Sequence, residues 1–268
     1  MPMNPNRYDV NLSILFTELD VLDRPGAAKA AGFDKVEFWW PFAVAVPADR
    51  EVDRFVQAIS DAGVSLVGLN FFAGDMPAGE RGVLSNPHRA GEFADNVDVA
   101  VGIGERLGCR AFNALYGNRI DGVDAQAQDD VAAESLVRAA KGTARIGGTV
   151  LIEPVSGTPA YPLKTAADAL AVIDRGHNEG GVDNLRLLFD LYHLKVNGDD
   201  PDAVIDQHAR TIGHVQIADA PGRNEPGTGE IDFEHYFEKL DAAGYTGHIG
   251  LEYKPSGASA DSFGWIKR

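Results

Sequence analysis

Cysteine is almost absent from this sequence: Cys109 is the single one among 268 residues. A lone cysteine cannot form an internal disulfide and leaves no cysteine-based metal site, which is typical of a protein in a reducing compartment. Cys109 stands in the strand-like segment CRAFNAL. We therefore predict that it is a small core residue and not a nucleophile.

Positive charge is also scarce, with 24 Lys and Arg against 40 Asp and Glu and a formal net charge of −16. Nucleic-acid surfaces depend on clustered Lys and Arg, and no such cluster is apparent along the chain. We therefore expect no nucleic-acid partner, and we interpret the negative charge as a solubilising surface.

Long apolar runs are missing as well. No run is long enough to cross a bilayer, so we expect no membrane partner. The first nine residues, MPMNPNRYD, lack the basic and then apolar pattern of a secretory signal. Together with the single cysteine, these observations predict a cytoplasmic location.

What the sequence does contain is a regular alternation of short apolar strands with amphipathic helices, starting near Tyr8. An alternation that never switches to runs of one type indicates βα units and a parallel sheet. The predicted strands span residues 10–15, 35–40, 65–70, 110–115, 148–153, 185–190, 212–217 and 248–252. The predicted helices span residues 22–31, 49–62, 90–107, 129–146, 165–175, 202–209 and 233–243.

Eight such strands in a chain of this length predict a (β/α)₈ TIM barrel that forms a single domain over residues 1–268. The competing fold is an open doubly wound sheet, which usually carries a glycine-rich loop after its first strand. Here that position reads FTELD, without glycine. The tail after about Pro255 is predicted to fold back or to pack on a partner subunit, and the residues leave open whether the chain is a homo-oligomer.

Four oxygen-bearing side chains stand at the ends of the last four predicted strands: Glu153, Asp190, Gln216 and Glu252. The carboxyl ends of barrel strands converge on one mouth, so these side chains are expected to meet. Three anions gathered there would repel one another unless a cation were present. Oxygen ligands suit Mg²⁺ or Mn²⁺ better than Zn²⁺, and we therefore predict a divalent metal site.

The stretch IGHVQIADAPGRNEPGTGEIDF, residues 212–233, combines a strand with a long loop rich in Gly and Pro, which indicates a functional loop. His214 and Gln216 point to the same side of the strand, so His214 is predicted to line the site or to orient a ligand from behind. Arg223 in the loop could clamp a substrate carboxylate. Lys254 could bind the same anion or pair with a carboxylate.

Other candidate substrate-binding residues come from three further places. His193, three residues after Asp190, could hydrogen-bond a substrate hydroxyl or carbonyl. Glu37 lies within a predicted strand, where an inward carboxylate needs a partner. The glycine-rich loop at residues 73–82 suits a lid over the mouth, with Asp75 and Arg81 as polar contacts.

The segments LIEPVSG, FDLYHLKVNGD, IGHVQIADAPGRNEPGTGEIDF and GHIGLEYKP resemble the hydroxypyruvate isomerase family, within the xylose isomerase-like barrels that include ketose epimerases. The likeness runs from about Asn11 to Pro255. It implies a metal held by Glu153, Asp190, Gln216 and Glu252, with Glu153 and Glu252 as the proton-transferring pair. It also implies interconversion of hydroxypyruvate and tartronate semialdehyde through an enediolate.

Related activities remain as alternatives. The family includes 2-oxo-tetronate isomerases, and no motif in this chain separates the two substrates. Ketose 3-epimerases use the same two glutamates but usually have a histidine where this chain has Gln216, which favours the isomerase. A phosphodiesterase of the same superfamily would need a histidine-rich multi-zinc site and a basic groove, which seven His and a net charge of −16 disfavour. A barrel that binds an oxo acid without turnover is the non-enzymatic alternative.

Overall fold

Eight parallel strands close into a barrel in chain order, and the last strand pairs with the first. The structure is a computed structural model that describes residues 7–266; most of the segment MPMNPNRYD and the last two residues of the tail lie outside this part. The strands are β1 (Tyr8–Asn11), β2 (Lys35–Phe38), β3 (Ser65–Asn70), β4 (Ala111–Asn113), β5 (Thr149–Ile152), β6 (Leu185–Asp190), β7 (Ile212–Ile217) and β8 (Ile249–Leu251). The predicted (β/α)₈ barrel is confirmed.

The helices surround this barrel and shield the outer faces of its apolar strands. They are α1 (Arg24–Ala30), α2 (Asp49–Ala62), α3 (Ala90–Leu107), α4 (Ala125–Ala144), α5 (Ala166–Asn178), α6 (Leu191–Asn197), α7 (Pro201–His208) and α8 (Phe233–Ala242). The predicted bounds of β3, β6, β7, α2 and α3 agree with the structure. These segments combine a clear apolar period with a turn or cap signal at their ends.

The other predicted bounds differ from the structure by one to four residues at one or both ends, and one helix was missed. The first strand ends at Asn11, because the backbone N–H groups of Ile14 and Leu15 both turn back to the Asn11 carbonyl. Helix α4 begins at Ala125 because the Asp124 side chain accepts from Ala127 N. Helix α6 was missed: it has seven residues, and its N-cap is the last residue of the strand before it.

The tail folds back onto its own barrel. Phe263 packs against Phe33, with 4.6 Å between ring centres, and Trp265 meets Tyr8 edge to face at 5.4 Å. Ser259 Oγ accepts a hydrogen bond of 2.6 Å from Phe16 N. The tail therefore folds back onto the barrel, which is one of the two placements predicted from the sequence.

Cys109 is fully buried, as predicted, and burial raises the pKa of its thiol to about 12. A thiol with so high a pKa is not a nucleophile at neutral pH. Within residues 7–266, none of the helices is long and apolar enough to cross a membrane.

Candidate active site

A cavity of about 850 Å³ opens at the carboxyl ends of the strands. The loop after β2 gives it an apolar wall, residues 39–44, and the loop after β3 contributes Asp75 and Arg81. Glu153, His193 and Glu252 lie at its base. A cavity with an apolar wall and a few polar groups at its base is the usual form of a small-molecule site.

Three of the four side chains predicted at the strand ends, Glu153, Asp190 and Glu252, lie close together here, and His193 joins them. Glu153, Asp190, His193 and Glu252 each place one potential ligand atom within 4.8 Å of the others. We call these four residues the mouth cluster. Each of them is at most 4% exposed. Glu153 directly follows β5, Asp190 ends β6 and Glu252 directly follows β8, so the barrel closure alone brings them together.

The three carboxyl groups of the mouth cluster hold protons more tightly than usual. Burial raises the pKa of Asp190 to about 6 and that of Glu252 to about 7, although Arg223 opposes both shifts. Burial and the charges of Glu252 and Asp190 raise the pKa of Glu153 well above its ordinary value. Such a site either keeps protons or takes up a cation.

Gln216 supplies a fourth oxygen. It lies opposite Asp190 in the pairing of β6 with β7 and is buried. Its Nε2 donates to Glu37 Oε1 at 2.7 Å, whereas its Oε1 has no hydrogen-bond partner within residues 7–266. A buried amide oxygen without a partner is costly unless something binds it. Three carboxylates and one free amide oxygen fit a hard divalent cation.

The two glutamates of the mouth cluster have different surroundings. Glu252 Oε1 accepts from Trp39 Nε1 at 2.6 Å and from Asn11 Nδ2 at 3.2 Å, and its Oε2 accepts from Arg223 at 2.5 Å. The side chain of Glu153 accepts from Asn113 Nδ2, at 2.6 Å. Donors favour the charged form of a carboxyl group, so Glu252 ionises more readily than Glu153.

His193 is held in one tautomer. Its Nδ1 accepts the backbone N–H of Ser156 at 3.0 Å, and Ser156 Oγ lies 2.7 Å from the same atom. A backbone N–H can only donate, so the ring proton must lie on Nε2. That atom is 3.7 Å from Glu153 Oε1 and from Asp190 Oδ2.

The protonation of His193 follows from its position. Burial, together with the positive charges of Arg223 and Arg81, holds its pKa well below the ordinary value, so the ring is neutral. Its Nε2–H is then a hydrogen-bond donor and not a metal ligand. This agrees with the predicted role of His193 in binding a substrate oxygen, which stays a prediction.

Arg223 pairs with Glu252, a contact that the sequence analysis did not foresee. Its backbone is left-handed, with φ 58°, and is held by Asp219 O and Lys254 N. The guanidinium also lies 5.3 Å from the centre of the Tyr192 ring. The predicted role as a clamp for a substrate carboxylate stays a prediction, and it would compete with the Glu252 pair.

Asp219 organises the long loop after β7. Its Oδ2 accepts from Gly227 N and Gly229 N, both at 2.8 Å, and its Oδ1 accepts from Ile231 N at 3.1 Å. The loop therefore has a defined shape that carries Arg223 to the mouth. Asp219 was not among the predicted residues, although its place two residues after a strand in a Gly-rich loop was a usable signal.

A second buried group lies deeper in the barrel and consists of Asp9, Glu37 and His214, which we call the inner cluster. His214 Nε2 is 2.7 Å from Glu37 Oε2 and 4.0 Å from Asp9 Oδ2. Burial lowers the pKa of His214, but Glu37 and Asp9 outweigh it and raise the value to about 9. Burial also raises the pKa of Glu37, but His214 and two amide donors bring it below the ordinary value.

Neither Glu37 nor His214 lines the cavity. His214 therefore lies outside the cavity, two positions before Gln216 on β7, and its role of orienting a ligand from behind stays a prediction. The predicted substrate contact of Glu37 has the same difficulty, since its carboxylate is turned to His214, Asn11 and Gln216.

Of the remaining predicted residues, some line the cavity and one does not. Lys254 is exposed and does not line the cavity, and its backbone N–H joins the Arg223 loop. Asp75 and Arg81 do line it. Arg81 Nη1 donates to Met76 O and Glu80 O, and no ion pair is formed by Arg81 within the described residues. Its charge is therefore available to an anion.

The family described as xylose isomerase-like TIM barrel matches residues 25–268 of this sequence. A solved structure described as AP endonuclease, family 2, from Brucella melitensis superposes with a TM-score of 0.87 and 33% identity. The alignment covers 97% of this chain and 98% of that one. The barrel thus belongs to this class of proteins.

Two curated relatives narrow the class. A protein of Streptomyces coelicolor named "Putative hydroxypyruvate isomerase" is 51% identical over 97% of this chain and 95% of its own length. A 2-oxo-tetronate isomerase of Cupriavidus necator is 33% identical over 97% of both chains. The chain belongs to the hydroxypyruvate isomerase family of the xylose isomerase-like barrels, as its sequence motifs predicted.

Proposed function

We propose that this protein is a metal-dependent isomerase of small 2-oxo acids that converts hydroxypyruvate into tartronate semialdehyde. That it is an isomerase follows from its family. The observation that carries the finer proposal is the set of three buried carboxyl groups and one unpartnered amide oxygen beneath an open cavity.

Glu153, Asp190, Gln216 and Glu252 would hold Mg²⁺ or Mn²⁺. Their oxygens form a hard donor set, and a divalent charge would offset the burial and mutual repulsion that raise the pKa of the three acids. When bound, such an ion supplies Lewis-acid stabilisation of negative charge on neighbouring substrate oxygens.

The reaction moves one proton between carbons. A proton leaves the hydroxymethyl carbon of hydroxypyruvate, an enediolate forms, and a proton is added at the former carbonyl carbon. The hydroxyl proton passes to the oxygen of that carbon, so the composition does not change. This chemistry needs a base and an acid on the enzyme.

Glu252 and Glu153 would supply them. The donors around Glu252 keep it the more readily ionised of the two, which suits the group that removes the carbon-bound proton. Glu153, which holds its proton more tightly, suits the group that returns one. Two carboxyl groups whose surroundings separate their pKa values are a recurrent basis for acid and base roles.

His193 and Arg81 would bind the substrate. The Nε2–H of His193 points toward Glu153 and Asp190 and would donate to the oxygen that changes between carbonyl and hydroxyl. Arg81 lines the cavity without an ion-pair partner among the described residues, so it would receive the substrate carboxylate. Replacing Arg81 by Gln should raise KM for hydroxypyruvate about tenfold and change kcat little, as steady-state kinetics would reveal.

The test is an NMR assay in D₂O with hydroxypyruvate and either Mg²⁺ or Mn²⁺. We expect tartronate semialdehyde to appear, with solvent deuterium incorporated at the carbon that receives the proton. Absence of both product and exchange, for three-carbon and four-carbon 2-oxo acids alike, would overturn the proposal. It would also leave the non-enzymatic binder as the better description.

The second candidate is 2-oxo-tetronate isomerisation. The cavity of about 850 Å³ is roomy for a three-carbon acid, and it has an additional cationic side chain, Arg24, in its wall. The same assay with a four-carbon acid decides between them by the ratio of kcat/KM values. Ketose 3-epimerisation would instead give exchange with free ketoses.

The phosphodiesterase alternative fits this site poorly. His193 is the histidine of the mouth cluster, and its Nε2 carries a proton. The cytoplasmic location and the formation of a homo-oligomer stay predictions.

A further inference from the structure

Glu37 and Gln216 meet across the interior of the barrel, although their strands are not neighbours. Glu37 lies on β2 and Gln216 on β7, and the barrel order places β1 and β8 between them. The Gln216 Nε2 to Glu37 Oε1 distance is 2.7 Å. Both residues are at most 3% exposed, so solvent does not compete with this contact.

The two ends of the Gln216 amide have opposite chemistry. The oxygen can accept a hydrogen bond or bind a cation, whereas the NH₂ group can only donate. Its Nε2 faces two acceptors, Glu37 Oε1 at 2.7 Å and Glu252 Oε1 at 3.4 Å. Turning the amide by half a rotation would place Gln216 Oε1 against Glu37 Oε1, and two acceptor oxygens repel. The two acceptors therefore fix the nitrogen on their side and leave the amide oxygen facing away from Glu37.

Glu37 is itself fixed in place. Its Oε2 contacts His214 Nε2 at 2.7 Å, and its Oε1 also accepts from Asn11 Nδ2 at 3.0 Å. Strand β8, which pairs with β7, leaves room for the Glu37 carboxylate at Gly250, where an added Cβ would lie 2.7 Å from Glu37 Oε1. The carboxylate therefore cannot swing aside while His214 and Asn11 hold it.

We propose that Glu37 is a positioning residue: it holds the amide nitrogen of Gln216, so that the amide oxygen is left free to serve as a cation ligand. This rests on the metal site of the proposed function. It explains why Gln216 Oε1 is left without a partner in the barrel interior. It also assigns a role to the inner cluster: the cluster holds the Glu37 carboxylate, which does not itself bind the cation, against the proposed ligand Gln216.

The test measures the binding of Mn²⁺ alone, by calorimetry and by the loss of the free-ion EPR signal. Glu37→Met removes the acceptor at similar length and should weaken Mn²⁺ binding about 10- to 100-fold, the usual cost of losing an outer partner of a ligand. Glu37→Gln should stay within a few-fold of the unmodified protein, because its amide oxygen can still accept from Gln216.

Asp9→Asn is the matched control. Asp9 belongs to the same inner cluster and contacts Glu37 and His214, but it makes no hydrogen bond to Gln216. It should bind Mn²⁺ with unchanged affinity. If Glu37→Met does not fold, the double variant Glu37→Met/His214→Leu replaces the whole ion pair by apolar groups, which proteins often tolerate. It should show the same loss of affinity.

The proposal would be overturned by unchanged Mn²⁺ affinity in the folded Met variant, or by an equal loss in the Asn control. A loss in Glu37→Gln as large as in Glu37→Met would also overturn it, since charge and not acceptor geometry would then be responsible. Because no activity is measured, an inactive protein that still binds Mn²⁺ would refute the proposed reaction alone.

Discussion

The mouth cluster and the inner cluster contain the same kinds of residue, yet their charges balance in different ways. Each is a buried group of acids with one histidine. In the inner cluster His214 lies against a carboxylate and has a pKa of about 9, so it is protonated and neutralises Glu37. In the mouth cluster His193 is neutral, and the acids have no histidine cation beside them.

The difference in pKa between His193 and His214 comes from the groups that surround each imidazole ring. His193 is buried near Arg223 and Arg81 and its Nδ1 accepts a backbone N–H; burial and these positive charges disfavour a second ring proton. A carboxylate occupies Nε2 of His214, and an anion there favours it. The same residue types thus form a closed ion pair in one place and a group that needs an external cation in the other.

The largest effect on activity should come from Glu252, the proposed general base in the mouth cluster. Glu252→Gln removes a carboxylate that would both take the proton and bind the metal, so kcat should fall by about 10³-fold or more. Circular dichroism should show an intact barrel. Asp9→Asn, a change in the inner cluster, should retain nearly all activity. Equal losses in the two variants would erase the distinction between the clusters.

The next effect concerns the neutral histidine. His193→Phe should lower kcat about 100-fold, because the donor to the substrate oxygen is lost. Mn²⁺ affinity should not change, since a ring nitrogen that carries a proton is not a ligand. Calorimetry on the variant checks this. A loss of Mn²⁺ affinity as large as that of Asp190→Asn would mean that His193 does bind the ion.

Metal binding should itself depend on pH. Asp190 and Glu252 have raised pKa values of about 6 and about 7, so protons occupy them at low pH and must leave when a cation binds. Mn²⁺ affinity should therefore rise with pH, about tenfold per unit for each proton displaced; the contributions of Asp190 and Glu252 should be complete above about pH 7, whereas that of Glu153 should extend to higher pH. A flat profile between pH 5.5 and pH 7.5 would contradict this account.

The smallest effect is on stability and belongs to the inner cluster. The folded-state pKa of His214, about 9, lies above its unfolded value of 6.5, so its contribution is complete below pH 6.5 and is lost as the pH rises through 9. The free energy of unfolding should fall by up to about 3 kcal/mol over this range.

Urea titrations at the two ends of that range measure the change. In Glu37→Met/His214→Leu the pH dependence between 6.5 and 9 should be weaker, because the titrating pair is gone. If the variant retains the full slope, then another group is responsible and His214 is not a protonated partner of Glu37.

The residues at the mouth of the site could be predicted from sequence, because closure of the barrel brings together the residues at the carboxyl ends of its strands. Glu153, Asp190 and Glu252 each follow an apolar run, and so does Asn113, which the same rule could have found at the end of β4. Closure of the sheet does the rest, whatever the loops do.

Contacts that depend on loop shape could not be predicted in this way. The Ser156 amide that fixes the tautomer of His193 has no sequence signal, and neither does the choice of Glu252 as partner of Arg223. The inner cluster was missed for another reason: the first strand was placed from residue 10, which left Asp9 outside the barrel.

The left-handed backbone of Arg223 has a consequence for how this position would respond to selection. A non-glycine residue at φ 58° costs about 1 kcal/mol relative to glycine, and backbone bonds to Asp219 and Lys254 hold it there. Glycine would relieve the backbone but leave Glu252 Oε2 without its arginine. Removing one partner of a buried ion pair costs about 3–5 kcal/mol, more than this backbone strain, so stability favours arginine over glycine at position 223.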